Sequence, residues 1–279
     1  MTERDSRLRA QDQLLTRIDE AAERGRLGER RAVHRGVQSQ SGSPGCALAA
    51  GAVFFGIALA LFLAGRTGLA VIPFGLLLVS WISIGFERLT SKRNQSFQLD
   101  LYEHGLTAAL KNRVHAVRYD GTSVLQNSVR HTGVAGYTEY EYTLTDIEGQ
   151  QVVLRGRSDG VAQKGRFPHP KEWGDTIQQA VTEAQLPKAI ARLKAGESLD
   201  FGRLWLTLDA VGSARDTAKW SQIQEIRVFD GFVKIKIAGQ WRSLGNTAVT
   251  SITVSGIPNF FVFLALAERL RQSGSGTAV

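Results

Sequence analysis

Few residues in this chain have types and spacings suited to chemistry. The five histidines are His34, His104, His115, His131 and His169. None belongs to an HExxH or HxH pattern, and no carboxylate stands at a metal partner's spacing. His115 and His131 are candidates to meet across neighbouring strands. Glu139 and Glu141 share one face of an expected strand, a spacing that suits a solvated sheet surface better than an acid/base pair. There is no G-x-x-x-x-G-K-[ST] phosphate loop and no G-x-S-x-G nucleophile elbow, and the terminal GSGTAV reads as a polar tail. The single cysteine, Cys46, excludes a disulfide framework, a CxxC redox centre and a cysteine-rich zinc site. It sits in an apolar run, where a thiol behaves as a small hydrophobe; S-acylation is the alternative. No catalytic residue, cofactor or metal is therefore expected. Trp205, Trp220 and Trp241 read as core or rim packing.

The strongest local charge is the stretch 155–171, RGRSDGVAQKGRFPHPK. It carries Arg155, Arg157, Lys164, Arg166 and Lys171 with Asp159 as its only acid. Its glycines and prolines argue for a loop. Positive charge on a loop suits an anionic surface, so these five residues are the candidate contact for anionic lipid headgroups. The rest of the excess is spread thinly: the net charge of +8 belongs to no one domain. A nucleic-acid partner is not expected, because such proteins concentrate their charge on one face or domain.

What would hold such a loop near lipid is the hydrophobic block 45–86, whose only charge is Arg66. Residues 45–65 and 68–86 are each long enough, at about 1.5 Å per residue, to reach across a bilayer core of about 30 Å. One straight helix would be twice too long, so the chain must turn, and Arg66-Thr67 is the polar place to do so. Arg30, Arg31 and Arg35 precede the block and Arg88, Lys92 and Arg93 follow it. Such flanks predict an inner-membrane hairpin with both termini cytoplasmic.

Residues 1–37 are expected to form a charged cytoplasmic helix, helical over 3–33, with Leu14, Leu15, Ile18, Ala21 and Ala22 as a narrow apolar stripe. This is a solvated helix or, alternatively, a surface-lying or partner helix. Residues 38–44 read as a linker. From residue 97 the apolar period becomes two, as at Phe97, Leu99 and Leu101 and at Tyr140, Tyr142 and Leu144. A helix follows around Trp173, Ile177, Ala180, Val181 and Ala184. Pro187 is expected to stop or kink it before a second short helix ending at Gly196. The order then recurs. Leu204, Leu206 and Leu208 alternate with polar residues, and strands are expected at 220–223, 225–229 and 249–254. Asp230-Gly231 marks a hairpin, and Val233, Ile235 and Ile237 face away from Lys234 and Lys236. A last helix begins at Pro258-Asn259. The chain thus divides into a first unit with its connecting helix, 95–195, a second unit, 196–272, and a tail, 273–279.

Strands followed by a capping helix fit a bent antiparallel sheet of the pleckstrin-homology-like kind, with a plain sandwich as the alternative. The stretches LYEHGLTAAL at 101–110, LPKAIARLKAGESLDFGRLWLTLDAVG at 186–212, AKWSQIQEIRV at 218–228 and IPNFFVFLALAERL at 257–270 resemble a family of bacterial membrane proteins carrying such folds. RLGERRAVHR at 26–35 is similar too. That family is a domain of unknown function. The resemblance implies two tandem units and supplies no catalytic residues. The expected fold class is a membrane-anchored α+β protein: a two-helix transmembrane hairpin plus two pleckstrin-homology-like units. The expected function is a non-enzymatic cytoplasmic binding or scaffold module. The alternatives are an accessory subunit of a larger membrane complex, or an enzyme with an unrecognised site. Its partners would be the bilayer, and either anionic headgroups or a membrane or cytoplasmic protein.

Overall fold

The structure is a computed structural model that describes residues 3–36, 97–110, 113–133, 136–160, 165–229, 231–243 and 252–275. The chain opens with helix α1 (Glu3–Gly25) and strand β1 (Arg30–Arg35). Strands β2 (Gln98–Tyr102), β3 (Gly105–Leu110) and β4 (Arg113–Arg118) complete an antiparallel sheet in the order β1-β2-β3-β4. Strands β5 (Ser123–His131), β6 (Tyr137–Thr145) and β7 (Gln151–Arg157) form a second sheet, followed by helix α2 (Pro170–Lys194). The same plan then recurs. Strands β8 (Leu199–Phe201), β9 (Leu204–Leu206), β10 (Ala210–Gly212) and β11 (Thr217–Lys219) make a four-stranded sheet. Strands β12 (Ile223–Phe229), β13 (Phe232–Ile237) and β14 (Gln240–Ser243) make a three-stranded one, and helix α3 (Phe260–Ser275) ends the described chain.

The expected membrane anchor does not stand. Among the described residues no helix is long and apolar enough to cross a membrane. The physical reason is plain in each helix. In α1 and α2 the faces away from the core carry charged residues, as at Asp19, Glu20, Lys188 and Arg192. The more apolar α3 has 16 residues, short of the roughly 20 that a bilayer core requires. The hairpin expected at 45–65 and 68–86 lies outside the described residues. The fold class is corrected accordingly: the described residues form three α-helices and four small antiparallel sheets. The two-span inner-membrane placement goes with the hairpin that was to carry it.

The expected helix over 3–33 is also corrected. It stops at Gly25, where Arg26 turns to a positive φ of 50°. The Arg118 guanidinium closes this end by donating to the carbonyls of Gly25 at 3.1 Å and Arg26 at 3.2 Å. Residues 30–35 then form β1, paired antiparallel with β2. The first sheet therefore draws one strand from ahead of the hydrophobic block. Chain exit and re-entry lie side by side, with the Gly36 N–H donating to the Phe97 carbonyl at 2.8 Å. The apolar stripe of α1 packs within the chain: Ile18, Ala21 and Ala22 are buried, and the helix lies against β3 and β4.

Helix α2 likewise differs from expectation, since it runs unbroken through Pro187. Pro187 and Glu183 both face solvent. The carbonyl four residues back, left without its helical donor, can be met by water. Trp173, Ile177, Val181 and Leu193 hold both halves of the helix in the core. The expected strand at 220–223 begins as a 3-10 turn over Trp220–Gln222. At 249–254 the described residues show an isolated bridge from Thr253 to Phe232 and then the start of a 3-10 turn at Val254.

A single apolar core runs through both repeats, from Leu99 and Leu106 through Trp173 to Trp220, Phe263 and Leu266. Asn259 sits where the repeats meet. Its side chain accepts from the Val124 N–H at 2.7 Å and donates to the Thr122 carbonyl at 3.2 Å and the Gln185 side chain at 2.9 Å.

Candidate functional site

Among the described residues, each basic side chain of the 155–171 stretch has a carboxylate partner. Arg155 on β7 pairs with Glu141 across the ladder at 2.6 Å. Arg157 meets Asp159 at 2.6 Å, and its guanidinium lies 3.5 Å from the centre of the Tyr137 ring. Arg166 meets Glu139 at 3.0 Å, and Lys171 meets Asp175 one turn along α2 at 2.5 Å. Lys164 lies outside the described residues. Each of the four described cations thus has a carboxylate beside it, and three of those acids lie outside the stretch. Strand register and the helix start bring them in.

Arg157 and Arg166 converge on the outer end of the β5–β6 hairpin. There His131 stacks on Tyr137 with ring centres 4.5 Å apart and approaches Glu139 at 3.8 Å. A groove of about 620 Å³ opens beside them, lined by Arg130, His131, Thr132, Tyr137, Thr138 and Ser158. Ser158 is tied in place, its hydroxyl accepting from the Thr138 N–H at 2.8 Å. His115 and His131 do not meet. His115 lies opposite Ala108 in the first sheet, and His131 lies opposite Tyr137 in the second.

A buried polar cluster sits where β1 meets β2. Asp100 is fully buried and accepts from the Gln98 amide at 2.8 Å, while Arg30 reaches it at 3.2 Å. Burial pushes the Asp100 carboxyl up from the usual range, against the pull of Gln98 and Arg30. Arg30 also donates to the Tyr102 hydroxyl at 3.2 Å and pairs with Asp19 of α1. This cluster ties α1, β1 and β2 together. Among the described residues no group of three or more His, Cys, Asp or Glu side chains is placed to hold a metal.

The surface with the most distinctive chemistry is one that charge counting by segment does not see: the outer face of β12–β14. Strand register and one tight turn set it. Phe229 lies opposite Phe232 in the β12–β13 pair. Ala238 and Gly239, with φ of 50° and 78°, close β13–β14 in the left-handed conformation that two-residue hairpins use. The Gly239 N–H also donates to the Gln224 side chain at 2.9 Å. The resulting register puts Trp241 beside Lys236 and Glu225, then Ser243 beside Lys234 and Arg227, then Phe232 beside Phe229. Side chains alternate across a strand, so all eight share one face. Val233 and Ile235 of the same sheet are buried on the other.

Cations lie against the rings of this face. Lys234 is 4.8 Å from the Phe229 ring centre, and Arg227 and Lys236 are 5.3 Å and 5.9 Å from that of Trp241. Arg227 also pairs with Glu225. Phe229 is 59% exposed and Trp241 40% exposed. Of the two positions expected for the tryptophans, Trp241 takes the rim and Trp220, 2% exposed, the core. The clue in the sequence was the alternation of Lys234 and Lys236, followed by a Gly-containing turn that returns an aromatic beside them.

Comparison with curated proteins and with solved structures returns no match. Residues 13–275 do match a family of unknown function. That match takes in the second half of α1, all four sheets and the whole of α3, and on it the chain belongs to the DUF6585 family.

Proposed function

We propose that the chain is a non-enzymatic binding module, and that its working surface is the outer face of β12–β14, taking an anionic partner. The observation that carries this is the set of three cations, Arg227, Lys234 and Lys236, held against two exposed aromatic rings on one sheet face. One carboxylate, Glu225, shares the face, so it keeps a positive excess. The described cations of the 155–171 stretch are each beside an acid, which favours the β12–β14 face over that loop. A cation on an exposed ring costs little to uncover, and an anion landing there gains charge and apolar contact together.

The test is elution of the full-length protein from a heparin column. Lys234→Glu with Lys236→Glu is expected to elute at clearly lower salt than the parent. Arg155→Glu is expected to change elution little. Unchanged elution of the double variant would refute the assignment of this face.

A further inference from the structure

We infer that the anionic partner of the β12–β14 face is a single-stranded nucleic acid. This rests on the reading of that face as an anion-binding surface and goes beyond it in naming the partner. The order of chemistry along the face is the reason. Trp241, Lys236 and Glu225 make the first cross-strand row, Ser243, Lys234 and Arg227 the second, and Phe232 and Phe229 the third. Rows two residues apart on a strand are separated by about 7 Å. The face therefore presents rings about 14 Å apart with cations between them, and an extended unpaired strand, whose bases and phosphates alternate, crosses that span with more than one nucleotide. Exposed rings supply stacking platforms for bases whose π faces are open, and cations between them meet the phosphates.

An acidic peptide would satisfy Lys234, Lys236 and Arg227 but would leave Phe229 and Trp241 without a matching partner. A duplex would satisfy the cations and hide its base faces from the rings. Hydrogen-bonding side chains that could read base edges are sparse here: beside the cations and rings the face holds Ser243 and Glu225. Recognition by stacking and charge is tolerant of sequence, so the face takes short single strands with little base preference. The even spread of net charge along the chain does not oppose this, because the relevant charge is gathered by strand register from residues on two neighbouring strands.

The experiment is fluorescence anisotropy of the full-length protein with labelled oligo(dT) and oligo(U) single strands. A duplex of equal length and polyglutamate are the comparison ligands. Both single strands are expected to bind more tightly than the duplex and polyglutamate and to quench tryptophan fluorescence. Trp241→Ala and Phe229→Ala are each expected to weaken single-strand binding about tenfold, while Trp241→Phe, which keeps a ring, retains most of it. Lys234→Gln with Lys236→Gln is expected to lower the salt slope of log K by about 1.4. Melting curves matching the parent show that the variants fold. Polyglutamate binding as tightly as oligo(dT), with Trp241→Ala without effect, would overturn the nucleic-acid inference and leave the anion-binding face standing. Duplex binding equal to single-strand binding would overturn it too. Binding of none of the four ligands at low salt would overturn both.

Discussion

The seam between α2 and the second sheet can be tested through Gly174. This residue is buried in the helix, one position after the fully buried Trp173. A Cβ placed there would lie 2.2 Å from the Tyr142 hydroxyl oxygen, 2.3 Å from its Cζ and 2.7 Å from Cε2. Tyr142 cannot swing aside: it is 0% exposed, and its ring meets Trp173 edge-on with centres 5.1 Å apart. Gly174→Ala gains about 1 kcal/mol of helix propensity but incurs an overpacking cost of about 3 kcal/mol, the upper end of the usual range, because a rigid ring rather than a flexible tip is struck. The net expectation is a loss of about 2 kcal/mol. In a Tyr142→Ala background, itself costing about 3–5 kcal/mol, the space is open. There Gly174→Ala is expected to stabilise by about 1 kcal/mol. The coupling between the two sites is then about 3 kcal/mol. Urea unfolding of the four proteins, followed by far-ultraviolet circular dichroism, measures it. An equal effect of Gly174→Ala in both backgrounds would refute the close helix–sheet approach.

Three further outcomes follow from the same structure. Phe263→Asp and Leu266→Asp each place an unpaired charge at a site 1% exposed and are expected to lower stability by several kcal/mol; a melting temperature within a degree or two of the parent would show that α3 does not cap the core. Burial holds His34 and His115 below the ordinary histidine pKa, so the unfolded chain takes up protons first on acidification. Their contribution to stability is fully present above about pH 6.5 and is lost as pH falls from there through their lower folded-state values. Melting temperature should therefore fall between about pH 7.5 and 5.5, and less steeply in His34→Gln with His115→Gln; an unchanged slope would exclude these two groups. Replacing residues 37–96 by a four-residue Gly/Asn turn keeps Gly36 beside Phe97 and, for a flexible connection, lowers the closure cost by about 2 kcal/mol; loss of the α1–β1 packing in the shortened protein, seen by hydrogen exchange, would show that the pairing depends on the excised residues.

Local periodicity made much of the sheet structure legible. The alternation of Tyr140, Tyr142 and Leu144 is strand β6, and that of Val233, Ile235 and Ile237 is strand β13. What could not be read was pairing at a distance. RRAVHR at 30–35 is short and highly charged, and its partner strand begins more than 60 residues later. Nothing local distinguishes it from the end of a helix. The same pairing hides the environment of β2. Gln98 and Asp100 sit at polar positions of an alternating pattern, yet every residue of the strand is buried, because Arg30 and α1 cover the polar side. Pro187 misleads for the opposite reason: a local rule is overridden by tertiary packing on both of its flanks. At the candidate face, Lys234 and Lys236 were legible as an outward pair. Trp241 was not, because β14 has four residues, too few to show a period.

The bond between Gly36 and Phe97 also sets a timetable. Synthesis at roughly 5–20 residues per second leaves about 3–12 s between the appearance of β1 and the residues that can pair with it. During that interval Ile18, Ala21, Ala22 and Leu27, all buried in the finished protein, have no sheet to lie against. The α1–β1 arm is therefore a waiting segment, exposed to chaperones and proteases until its own chain catches up. The second repeat, whose strands each pair with their nearest neighbours in sequence, has no such delay within its sheets.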